Sequence, residues 1–288
     1  MTFPHLLITL IVMILFGSSY PIGKIGLNED ISPLLFSLLR ILPMFILLSP
    51  FLKWQTIHHK GFKYIVGYGL LMGLGLYPFM YLSLENTQST SSMILIMQLS
   101  IPTGIILGSI YLREKVTVLR WILIGIVLFG LTIICFDPVV FQSKLSVFFG
   151  ILAAFAYGSA SMISKKLKDF SSIEVNSWMA IFSFPLMISL VLIFENNELK
   201  NIFNHNWIAY TPALYSGIVV SCLAQILMLW LYKHYEVKTV LPFYSLFPVF
   251  GILLTILLLN EKISFLIIIG SAIVILGNFY LQKVKQLP

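Results

Sequence analysis

Arg40 is the residue whose chemistry most needs an account. It lies about eight residues into an apolar stretch that opens near Ser32, roughly 12 Å deep at about 1.5 Å of rise per residue. A charge at that depth costs about 3 kcal/mol unless it faces a wet cavity or a partner. Its planar fork of donors suits an anionic group on a solute. The other reading is a gate or packing pair with Glu29, Asp30 or Glu85. Tyr77 and Tyr81 share a helix face at i, i+4, and aromatic walls suit flat or cationic solutes. Gln98 and Tyr244 each stand four residues before a proline, Pro102 and Pro248. Each proline frees the carbonyl four residues back, and such breaks persist where they line a cavity or find new partners. Gln225 and Ser18 complete the candidate solute-binding set. Lys24 and Lys165, at the ends of apolar stretches, are candidates for gating or for attracting solute; simple snorkelling is the leading alternative.

Other chemistries find no footing. The acidic residues, Glu236 included, sit near the ends of apolar stretches or between them, so no intramembrane carboxylate is placed to carry protons. No H-E-x-x-H or intramembrane Asp pair occurs. Gly158-Ser159-Ala160-Ser161 lacks the second glycine of a nucleophile elbow. No catalytic residue, metal site or cofactor is expected. Gly69-x-x-x-Gly73 and Gly104-x-x-x-Gly108 read as close helix packing. Cys135 and Cys222 read as buried free thiols.

The elements that must position these residues follow from composition. Of 288 residues, 59% are hydrophobic and 10% charged, and the mean hydropathy is +0.97. A soluble domain carries roughly a quarter charged residues, so this surface must face lipid. Apolar stretches long enough to span a bilayer fall at about 5–26, 32–52, 64–84, 90–111, 117–136, 146–165, 174–194, 207–232, 238–259 and 264–282. The loops 53–63, 113–120, 165–168 and 233–238, with the C-terminal tail, hold 13 Lys and Arg. The alternate loops hold Lys144, Lys200 and Lys262. Positive charge marks the cytoplasmic side, so both termini are predicted to be cytoplasmic, in a multi-pass protein of the cytoplasmic (inner) membrane. The first stretch has no basic flank and no cleavage pattern, and is expected to remain as a helix. The net charge of +7 is scattered rather than gathered in a patch, which argues against nucleic acid.

The chain also matches itself at an offset of about 141–147 residues. The stretch from Phe16-Gly17-Ser18 to Lys24 parallels Tyr157-Gly158-Ser159 to Lys165. Pro43 parallels Pro185, and Pro102 through Glu114 parallels Pro248 through Glu261. Five spans per copy is an odd number, so the second copy is inverted. Inverted repeats are a recurrent transporter architecture, with the solute site near the midplane and alternating access around it.

These residues, with Arg40 and the two Pro…Leu-x-Glu endings at Glu114 and Glu261, resemble the EamA-like branch of the drug/metabolite transporter superfamily. Arg113 and Asn260 stand where that pattern usually has glycine, and the first copy is one residue shorter between Pro102 and Glu114. The resemblance implies an all-α membrane protein with ten transmembrane helices in two inverted five-helix repeats, 1–140 and 141–288. It implies a secondary transporter rather than an enzyme, moving an amino acid or a related small polar metabolite. The alternatives are an S-adenosylmethionine-like, nucleotide-type or phosphorylated solute and, in another class, a channel-like or non-transporting scaffold. The expected partners are the solute and membrane lipid, with a homodimer as a further possibility.

Overall fold

The computed structural model describes residues 3–200, 202, 207–235 and 240–284. Glu236, Lys238 and Lys285 lie outside the described residues. Among the described residues, nine helices are long and apolar enough to cross a membrane: α1 Phe3–Asn28, α2 Pro33–Phe51, α3 Phe62–Glu85, α4 Thr90–Tyr111, α5 Val118–Cys135, α6 Lys144–Ser164, α7 Ser172–Phe194, α8 Trp207–Met228 and α10 Phe265–Lys283. The shorter apolar helix α9, Phe243–Leu259, stands where the remaining span is expected. Helix α8 runs on as far as His234.

The helix starts explain where the acids went. Four backbone N–H groups at each helix start lack an intrahelical acceptor, and near a bilayer water is scarce. Ser89, Thr117, Ser171 and Ser264 cap α4, α5, α7 and α10 through their side chains. Acids from distant helices add to this. Glu195 accepts from Leu34 N and Leu35 N at 3.2 and 2.9 Å and from the Ser32 hydroxyl. Glu261 accepts from Thr90 N, Ser91 N and Ser89 Oγ at 2.8, 3.2 and 2.8 Å. A carboxylate there also meets the positive end of the helix dipole.

Helix packing is pairwise and crossed. Helix α1 lies against α9, α6 against α4, α2 against α7, and α5 against α10. Glycines set two of these approaches. A side-chain carbon on Gly17 would come within 2.7 Å of Gly251 N and Phe247 O, and one on Gly158 within 2.7 Å of Ser100 O. Gly104 and Gly73 pack as the small-residue spacing predicts, against Gly158 O and Ser183. Helices α5 and α10 are the least enclosed spans and present large apolar side chains such as Phe129 and Leu276 outward.

Four helices are irregular at matching places. Helix α3 widens to a π-helix over Leu71–Leu76, and α8 over Ser216–Ala224. Helix α4 tightens to 3-10 geometry over Met97–Leu99, and α9 over Leu241–Leu246. The tight segments stand just before Pro102 and Pro248, as their missing donors require. The π segments have no such signal in the sequence, and they flank the buried charge. Arg113 and Asn260, after α4 and α9, both adopt left-handed backbone, with φ of 56° and 53°. The turn that glycine would favour is kept without glycine.

Candidate functional site

Arg40 is 5% exposed and held from three other helices. Its Nε donates to Ser221 Oγ on α8 at 2.9 Å. Its Nη1 donates to Ser19 Oγ on α1 at 3.0 Å and to the Tyr81 hydroxyl on α3 at 2.7 Å. The guanidinium carbon lies 4.4 Å from the centre of the Tyr77 ring and 5.8 Å from that of Tyr81. A desolvated contact of this kind contributes about 1–2 kcal/mol. The α2 backbone here comes so close to α8 that a side-chain carbon on Gly217 would lie 2.5 Å from Arg40 O.

The expected pairing with Glu29, Asp30 or Glu85 is not found: hydroxyls and rings surround Arg40, and no carboxylate bonds it among the described residues. Glu29 and Asp30 sit on the exposed turn after α1, and Glu85 lies against Asn86. Hydroxyls can solvate a guanidinium but cannot neutralise it. The hydrogen bonds that hold Arg40 leave from its Nε and Nη1. The bundle thus holds a buried positive charge that no carboxylate bonds among the described residues.

The other predicted residues divide. Tyr77 and Tyr81 are fully buried and join Arg40; Tyr77 also reaches Ser221 Oγ at 3.5 Å. Ser18, one residue from the Arg40 contact, bonds the Tyr215 hydroxyl at 2.8 Å. Tyr244 meets Tyr157 hydroxyl to hydroxyl at 2.5 Å, and its ring packs on Phe16 at 6.0 Å. Phe16 and Tyr157 are the residues matched by the repeat, so both copies converge on Tyr244. Gln225 is half-buried on α8, four residues beyond Ser221.

Gln98 stands apart. It is 1% exposed and faces α10, where Asn278 Nδ2 donates to its Oε1 at 3.1 Å and to its backbone oxygen at 3.3 Å. The carbonyl released by Pro102 is therefore taken up by an amide on another helix. One turn along α10, Gln282 Nε2 donates to Ser245 Oγ in the tight segment of α9 at 3.0 Å. Gln98 Nε2, Asn278 Oδ1 and Gln282 Oε1 lack partners among the described residues. Sequence reasoning missed this seam, although two amides at i, i+4 in an apolar helix are a usable signal. It also missed Ser221, because a serine in an apolar helix is too common to stand out.

Neither lysine merely snorkels. Lys24 Nζ donates to Leu84 O at the end of α3 at 2.7 Å and to Thr87 O in the turn that follows at 3.1 Å. Lys165 pairs with Glu114 at 2.7 and 2.9 Å. Lys24 and Glu261 line one cavity of about 370 Å³, together with Gln88, Asp137 and Lys262.

Membrane-length apolar helices around a buried polar centre define a multi-pass helical membrane protein. The model of the EamA-like transporter family matches residues 3–136 and again 144–281, and the chain belongs to this family. It is a transporter and not an enzyme. Two relatives are each named "Probable amino-acid metabolite efflux pump". The one from Escherichia coli (strain K12) is 21% identical over 280 residues, covering 94% of this chain and 92% of its own length. The one from Salmonella typhimurium is 21% identical over 282 residues, with the same coverage. A solved crystal structure covers 97% of each chain with a TM-score of 0.62 at 14% identity, a likeness of fold.

Proposed function

We propose that this protein is a secondary transporter that moves an amino acid or a closely related small polar metabolite by alternating access. Its ten helices form two inverted five-helix units, 1–140 and 141–288, in the cytoplasmic membrane with both termini inside. The observation that carries the reading is the charge of Arg40, buried among Ser19, Ser221, Tyr77 and Tyr81 with no carboxylate bonding it among the described residues. A solute carboxylate supplies the balancing charge in the forked geometry that arginine favours. Tyr77, Tyr81, Ser18, Gln225 and Tyr244 form the surrounding wall.

Two further observations support the architecture. The family model matches the chain twice, once in each half. The crossed contacts α1–α9 and α6–α4, each closed by an equivalent glycine, are those that a two-fold relation between the halves generates. The relatives' printed names support amino-acid metabolites and export. A phosphorylated solute suits Arg40 as well, whereas an S-adenosylmethionine-like cation meets a fixed charge of its own sign.

The test is counterflow in proteoliposomes, screening amino acids, nucleotides and sugar phosphates. Saturable exchange of an amino acid that is lost on its conversion to the amide supports the reading. Exchange of sugar phosphates alone moves the substrate class, and conductance without counterflow sinks the carrier reading.

A further inference from the structure

Lys24 and Lys165 occupy matching places in the two copies, as do Glu261 and Glu114. The structure treats the two sets differently. At one end Lys165 and Glu114 are joined at 2.7 Å, with Gly108 packed beneath them. At the other end Lys24 and Glu261 form no ion pair. Lys24 holds the end of α3, Glu261 holds the start of α4, and a cavity of about 370 Å³ opens between them. Two copies of one device in opposite states, at opposite ends of one bundle, are what a carrier caught on one side of its cycle contains.

We propose that the two lysine–glutamate pairs are alternating latches. In this conformation the Lys165–Glu114 latch is shut and the Lys24–Glu261 latch is open, so solute reaches the bundle from the Lys24 end. In the opposite conformation Lys24 leaves the α3 carbonyls and meets Glu261, while Lys165 releases Glu114. The proposal rests on the inverted-repeat reading and adds the residues that hold each end. Both partners of each latch come from different helices, Lys24 from α1 against the end of α9, and Lys165 from α6 against the end of α4. These are the two crossed helix pairs, so each latch spans the boundary between the halves.

The experiment uses full-length protein in proteoliposomes with Cys135 and Cys222 replaced by alanine. A reporter cysteine is placed in the open cavity (Gln88→Cys) or one turn inside the shut latch (Ser161→Cys). An impermeant thiol reagent is applied to each. Glu114→Gln or Lys165→Gln is expected to slow labelling at position 88 and speed it at position 161. The change should be about two- to fivefold, the population shift that a half-exposed ion pair commands. The swap of Glu114→Lys with Lys165→Glu should restore the starting rates. Rates unmoved by either neutral variant, or moved in the same direction at both positions, overturn the latches. A swap that behaves like the neutral variants also overturns them. Counterflow on the same vesicles separates the two ideas: no solute exchange by the unaltered protein fails the carrier reading whatever the labelling shows.

Discussion

At the scale of single residues, the centre of the molecule is an exercise in solvating a cation without neutralising it. Three hydroxyls and two rings hold Arg40. Removing its side chain should therefore harm solute binding more than folding. Arg40→Ala is expected to lower counterflow at least tenfold, the loss of about 1.4 kcal/mol or more for a charge-assisted contact, with near-normal yield and elution on gel filtration. Arg40→Lys keeps the charge but loses the fork, so it should retain part of the exchange with a raised half-saturation concentration. Full activity of Arg40→Ala would remove the residue from the site. The parts were legible beforehand, since a charge in an apolar stretch is conspicuous and i, i+4 spacing puts both tyrosines on one face, but that Arg40 meets Tyr77 and Tyr81 was not. Ser19 and Ser221 gained meaning only from proximity. Gln98 was expected on a cavity wall, and what the sequence did not show is its amide partner Asn278, 180 residues away on α10.

At the scale of elements, glycine appears where backbones touch and is missing where the backbone turns left-handed. Gly17→Val and Gly158→Val should each destabilise by about 1–3 kcal/mol, because the atoms met are backbone and cannot move aside. Gly125, with nothing within 4 Å, is the control: Gly125→Ala should leave thermal stability in detergent unchanged or slightly raised. Conversely, Arg113→Gly relieves a left-handed residue and should raise stability by about 0.5–1 kcal/mol. A fall in melting temperature would contradict that account. Helix positions and proline breaks could be read from hydropathy and from the donor that proline lacks. The π segments of α3 and α8 could not, because widening a turn leaves no residue type that marks it.

For the whole molecule, charge distribution makes a sharp claim about orientation. Single cysteines replacing Lys60 and Lys200 should behave oppositely in intact cells, an impermeant reagent reaching position 200 and not position 60. The reverse pattern would invert the topology, and with it the side to which the Lys24 end opens. The crossed packing of α1 on α9 and α6 on α4 means that neither half can be folded into its final contacts without the other. Expressing residues 1–140 alone should accordingly give a product that aggregates or is degraded, recovered when residues 141–288 are supplied in trans.

The amide seam between α4, α9 and α10 has a practical side. It satisfies the broken helices, yet Gln98 Nε2, Asn278 Oδ1 and Gln282 Oε1 remain without partners among the described residues, each at a cost of about 1–3 kcal/mol unless an ordered water fills the gap. Removing both members of such a pair is gentler than removing one. Replacing Gln98 and Asn278 together by leucine is thus a route to a more heat-resistant protein for biophysical work. If the seam yields during the working cycle, that tougher protein will be the slower one, and stability will have been gained at the expense of turnover.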